Sequence, residues 1–151
     1  MSNNKTSKLK VGLLDFGNTK IGKTSGDILN ETFECVVAAE KAGYSRYWLT
    51  EHHNTFLAWG GPELLIGLLA GITGRIRIGS AGILLSYYSP LKVAENFKLL
   101  ATLFPGRIDM GIARGLGGDL QVAKAMLGQE VTGLPPLEVF AQKLNDLAGF
   151  L

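Results

Sequence analysis

The chain has 151 residues, 46% hydrophobic and 19% charged, and its 15 Lys and Arg against 13 Asp and Glu leave a formal charge of +2. A chain of this length buries roughly 70% of the surface its unfolded form exposes, which fits one compact domain. Scattered basic residues speak against a nucleic-acid partner, one cysteine rules out a disulfide scaffold, and no Cys and His set has zinc-ligand spacing. The polar N-terminus and a longest apolar run of only residues 64–70 predict a cytoplasmic protein with no membrane partner. The 20 glycines are about twice the usual share.

Residues 10–16 (KVGLLDF) form a short apolar run closed by Gly17, the pattern of a buried strand. Over 27–42 the apolar residues Ile28, Phe33, Val36, Val37 and Ala39 recur at helical spacing, with Gly43 at the C-terminal cap. A strand at 47–49 leads into His52, His53 and Asn54, and Pro62 opens a second helix carrying Leu64, Leu65, Leu68, Leu69 and Ile72. Residues 75–85 (RIRIGSAGILL) read as a third strand that Gly79 and Gly82 allow to bulge. Pro90 starts a third helix with one apolar stripe from Val93 to Phe104. A fourth strand, 108–112, runs into a glycine-rich turn, a short helix at 119–127 and a last helix at 137–151. Strict alternation without hairpin turns predicts α/β architecture with parallel strands and right-handed crossovers. A doubly wound sheet and a (β/α) barrel both satisfy it, and both gather function into the loops after Phe16, Leu49, Ile83 and Ile112.

His52 and His53 are the only histidines. Successive residues of an extended segment face opposite ways, so one imidazole faces a central cavity while the other packs outward. Structural hydrogen bonding is one reading and acid/base chemistry near neutral pH another; zinc binding lacks a third ligand. Arg114, at the end of the fourth strand, offers a planar donor fork to a carbonyl, carboxylate or phosphate, or else an ion pair to Asp109, Asp119 or Glu51. The glycines at 115–118 sit where a phosphate cradle belongs, but Leu120 occupies the place of the third glycine of a dinucleotide fingerprint. Residues 80–82 and Gly60 with Gly61 are small enough for a flat ligand, or for plain helix–strand packing. Tyr87 and Tyr88 line a pocket or lie on the surface, and Cys35 reads as inert core.

Three segments in order, 43–54 (GYSRYWLTEHHN), 75–97 (RIRIGSAGILLSYYSPLKVAENF) and 105–119 (PGRIDMGIARGLGGD), resemble the N-terminal half of the bacterial luciferase-like flavin-dependent monooxygenases. The resemblance covers nearly everything after Lys8. It implies four of the eight (β/α) units of a TIM barrel, with residues 1–8 a flexible tail and 9–151 a half-barrel domain. It further implies an oxidoreductase that uses reduced FMN and molecular oxygen on a small organic substrate, with a deazaflavin as the alternative cofactor and a flavin reductase as a partner. His52 then matches the active-site histidine and His53 its less critical neighbour. Ala81 and Gly82 match a small-residue bulge, often with a non-prolyl cis peptide, that presses against the flavin ring. Arg114 matches an arginine near the ring's pyrimidine edge. Ala113 falls where luciferase itself carries a reactive cysteine, which argues against light emission, and residues 86–89 depart from the family's proline-containing loop. Helices two and three form much of that family's dimer interface.

A whole barrel needs about 250 residues. In the family the flavin phosphate is held mainly by the second half. The resemblance therefore leaves a second reading open: a non-catalytic half-barrel without the flavin-phosphate site, binding flavin weakly or not at all and acting through self-association or a partner half-barrel.

Overall fold

The computed structural model describes residues 9–53, 56–128 and 132–151, so the tail expected at 1–8 lies outside the described residues, as does Asn54. Strands β1 (Gly12–Asp15), β2 (Arg46–Leu49), β3 (Arg77–Leu84) and β4 (Ile108–Ala113) alternate with helices α1 (Ser25–Lys41), α2 (Pro62–Ile72) and α3 (Pro90–Leu103). Helices α4 (Leu120–Leu127) and α5 (Leu137–Phe150) follow. Local signals set these limits. Thr24 and Asp27 form a reciprocal capping box at α1, prolines open α2 and α3, and left-handed Gly128 ends α4.

All strand pairs are parallel, in the order β1-β2-β3-β4. A doubly wound sheet reverses its winding at a switch point and so buries its first strand in the middle. Here each strand lies beside its predecessor, the order of a (β/α) barrel, and the chain forms four of the eight units of one.

The two faces of the sheet differ. Tyr47, Leu49, Ile78 and Ile83 are fully buried against the helices, where they meet Val36, Ile66, Leu69 and Phe97. Each such side chain contributes about 1.5–3 kcal/mol of burial. The opposite face carries glycines and charged groups together with the large side chains of Leu14 and Trp48. On its floor, Asp109 of β4 accepts from Arg46 Nε of β2 at 3.1 Å and from Arg77 Nε of β3 at 2.8 Å. The Arg77 guanidinium and then the Arg46 charge hold the Asp109 carboxyl below its usual range against the opposing effect of burial. A carboxyl depressed in the folded state stabilises the fold above its unfolded value and loses that stabilisation as pH falls through the folded one. The parent therefore loses melting temperature below about pH 4, and Asp109→Asn flattens that part of the profile in a thermal-melt series.

Two helices divide their apolar residues between core and surface. On α1 the buried residues are Ile28, Thr32, Val36 and Ala39, because the Thr32 hydroxyl donates to Asp15 at 2.9 Å. Phe33 and Val37 are partly buried against the same core and also line a side groove with Ile72. On α2, Leu65, Ile66, Leu69 and Ala70 face the sheet, leaving Leu64, Leu68 and Ile72 exposed.

Candidate active site

The βα loops converge at the C-terminal ends of the strands. Beside them lies a concave pocket of about 490 Å³, lined by Leu14, Trp48, residues 80–82 and residues 111–113. Its wall is irregular backbone: the β3–β4 register shifts between Ser80 and Ile83, and the Ala81-Gly82 peptide is cis, as the resemblance implied. Gly82 packs on the backbone of Gly111 and Ile112, where a Cβ would fall 2.8 Å from Gly111. This is strand–strand contact, so the alternative of helix–strand packing at 80–82 does not hold. Gly60 likewise meets no helix; a Cβ there would sit 2.9 Å from His53 Nδ1.

Glu51 organises the loop after β2. It is 1% exposed. Its Oε2 accepts from the Leu84 amide at 2.8 Å, its Oε1 accepts from the Tyr88 hydroxyl at 2.6 Å, and His53 Nε2 lies 2.8 Å from the same Oε1. Burial, and next the bond to Glu51, push the Tyr88 hydroxyl up, so it stays a donor. Burial also pushes the Glu63 carboxyl up, and the nearby Glu51 adds to that. Glu51 is the residue that sequence reasoning missed as a centre. The available signal was a carboxylate directly following a buried strand, in a chain with tyrosines after the next one.

The two histidines have different surroundings. His53 is anchored: its amide donates to Gly117 O at 2.6 Å, and its ring meets Tyr87 edge-on at 6.1 Å. Gly117 and Gly118 close over this segment. Gly117 has φ +55°, and a Cβ on Gly118 would fall 2.6 Å from His53 O. His52 instead tilts against Phe16, with ring centroids 6.3 Å apart. Its Nδ1 is buried without a partner, as are Thr50 Oγ1 and Arg114 Nε. These three atoms are the buried side-chain nitrogens and oxygens without hydrogen bonds among the described residues, and all follow β2 or β4.

Arg114 pairs with none of the carboxylates weighed for it. Asp109 is held by Arg46 and Arg77, Glu51 by the groups above, and Asp119 accepts from the Val122 amide at the start of α4. The Arg114 carbonyl accepts from Ser86 Oγ at 2.9 Å. Tyr87 and Tyr88 are not free surface aromatics, since the Tyr87 hydroxyl donates to Leu116 O and Tyr88 to Glu51. Lys143 of α5 steadies the same turn, its Nζ donating to the carbonyls of Leu85, Ser86 and Tyr88 at 2.8–3.2 Å. Cys35 is half-buried rather than deep core. It lies beside the Tyr47 hydroxyl, which donates to Asp15 at 2.6 Å.

A parallel sheet whose strands follow one another in sequential order is the arrangement of the (β/α) barrels. The sequence profile of the luciferase-like monooxygenases matches residues 9–136, and the chain belongs to that family. It is 40% identical over 144 residues to the N-acetyl-S-alkylcysteine monooxygenase of Bacillus subtilis, covering 95% of this chain and 42% of that protein. The crystal structure of apo-MsnO8 superposes with a TM-score of 0.86 at 38% identity, over 92% of this chain and 41% of that one. The fold is also that of the oxygenating constituent of 3,6-diketocamphane monooxygenase from Pseudomonas putida in complex with FMN, with a TM-score of 0.79 at 24% identity, over 91% of this chain and 38% of that one. The chain thus spans about two fifths of the length of these proteins. Among the described residues, no helix is long and apolar enough to cross a membrane.

Proposed function

We propose that this chain carries the histidine-bearing wall of a flavin-dependent monooxygenase site acting on a small organic substrate. The observation that carries the reading is the placement of the unpartnered buried atoms, His52 Nδ1 and Arg114 Nε, in loops at the same end of the sheet. Buried polar atoms are nearly always hydrogen-bonded, so atoms left over at a strand end fit a ligand. The site suits a flat, polar-edged ring. Ala81 and Gly82 form a small-residue surface for its face, and Arg114 supplies donors for its carbonyl edge. Bound reduced flavin supplies the electrons for oxygen activation. The imidazole of His52 holds or moves a proton at Nδ1, and Phe16 lies against its ring.

Titration of the purified chain with FMN and reduced FMN, followed by flavin fluorescence, tests the proposal. Saturable binding is expected, and Arg114→Leu should weaken it by about 10- to 100-fold, the equivalent of one charge-assisted hydrogen bond. A folded chain that binds neither form sinks the flavin reading. A parallel titration with a deazaflavin decides between the two cofactor classes.

A specific observation favours a second reading, in which the chain acts by association. Strands β1 and β4 are the edges of the sheet, and α2 and α3 expose Leu64, Leu68, Leu99 and Leu103. Unpaired parallel edges and apolar helix faces fit a second copy or a partner half-barrel. Mass measurement in solution separates this reading from the first, and a soluble monomer contradicts it.

A further inference from the structure

We propose that Glu51 is a positioning residue: its buried carboxylate keeps the hydrogen of His53 on Nε2 and, by locking that ring, delivers the adjacent His52 with Nδ1 unclaimed. The functional use of His52 rests on the reading above. The hydrogen position on His53 does not, and it is measured without flavin.

The argument begins with valence. A carboxylate accepts hydrogen bonds and donates none. Around Glu51 the Leu84 amide and the Tyr88 hydroxyl are both donors, and His53 Nε2 stands 2.8 Å from the oxygen that Tyr88 also reaches. A bare nitrogen at that distance would set lone pair against lone pair, so Nε2 carries the hydrogen. Geometry supplies the rest. The side chains of residues 51 and 53 meet each other, while that of residue 52 meets a different element. With Glu51 and His53 pinned together, the ring of His52 lies apart from them, against Phe16. The fit around His53 permits no slippage, because Gly60 and Gly118 approach it more closely than any Cβ would allow.

The anchor itself is held from a distance. Lys143 binds the Tyr88 carbonyl from α5, and the Tyr88 hydroxyl binds Glu51. The last helix is thereby connected to the histidine segment through two side chains.

Nitrogen-15 NMR of the imidazoles in the cofactor-free chain at about pH 8 reads the hydrogen position directly. Wild type is expected to show His53 with Nε2 protonated. In Glu51→Gln the carboxamide offers one acceptor and one donor group where the carboxylate offered two acceptors, so the Nε2–H population of His53 should fall at least about twofold. A role in packing alone leaves that ratio unchanged, since the two side chains have nearly the same shape. Glu51→Asp retains the charge and should restore part of the Nε2–H signal. Tyr88→Phe removes a competing donor and should leave Nε2 protonated, and it provides the decisive pair with wild type if Glu51→Gln does not fold. Unprotonated Nε2 in wild type or in Tyr88→Phe, or a ratio unmoved in folded Glu51→Gln, overturns the proposal.

Discussion

Gly111→Ala is expected to lower the melting temperature of this chain by about 10 °C or more, or to prevent folding altogether. A Cβ at this position would fall 2.2 Å from the carbonyl oxygen of Ser80 in the neighbouring strand. The obstacle is backbone, so no side chain can swing aside, and relief requires β3 and β4 to separate. Gly79 and Gly82 face the same restriction across this seam, from Asp109 O at 2.5 Å and from the Gly111 carbonyl at 2.8 Å. Overpacking typically costs about 1–3 kcal/mol, and more where nothing can yield, against a total stability of about 5–15 kcal/mol. At about 2–4 °C per kcal/mol for a chain of this size, the loss is readable in a simple melt. Gly133→Ala is the control. No atom lies within 4 Å of its Cβ position, and the melt should stay within about 2 °C of the parent. A Gly111→Ala protein that melts with the control contradicts the seam as described.

His52→Ala should reduce flavin-dependent oxygen uptake by about 100- to 10,000-fold while changing flavin affinity by no more than a few fold. On the proposed reading, losing a proton-handling group slows chemistry and leaves in place the ring-binding surface assigned to Ala81, Gly82 and Arg114. Thermal stability should hardly change, because the Nδ1 that is lost has no hydrogen bond in the fold. His53→Ala behaves differently. It removes one of three contacts to the buried Glu51 carboxylate, which keeps the Leu84 amide and the Tyr88 hydroxyl, and should lower stability as well as turnover, the stability by about 1.5–3 kcal/mol, the net worth of one hydrogen bond to a charged group. Equal uptake by His52→Ala and wild type would falsify the assignment of His52.

The elements themselves were legible because local chemistry set their limits. Proline at the first turn of α2 and α3 and the glycine after α1 act within a few residues, whereas the capping box of Thr24 and Asp27, which starts α1 at Ser25 and not at 27, went unread. The choice between a wound sheet and a barrel was not legible from periodicity, since both architectures use the same alternation. It turned on which strands are neighbours, a relation between residues far apart in the chain. Within the site, the central place of Glu51 was not legible. Its three partners come from positions 53, 84 and 88, and only the folded sheet brings the last two beside it. Thr32 was hidden for the same reason, its burial depending on Asp15 of another element. The glycine excess acquired a more exact meaning: several glycines mark where one backbone rests on another or on the histidine segment.

The sequential strand order also bears on how the protein is made. Each new strand adds to the edge left by the one before it, and none has to be threaded between two that already pair. A chain emerging from the ribosome can therefore build this sheet in the order of synthesis, with every parallel pairing bridged by a single crossover. The residues after β2 find Leu84 only when β3 has emerged and Gly117 only when β4 has, so the histidine segment is fastened last, on a sheet already laid down beneath it.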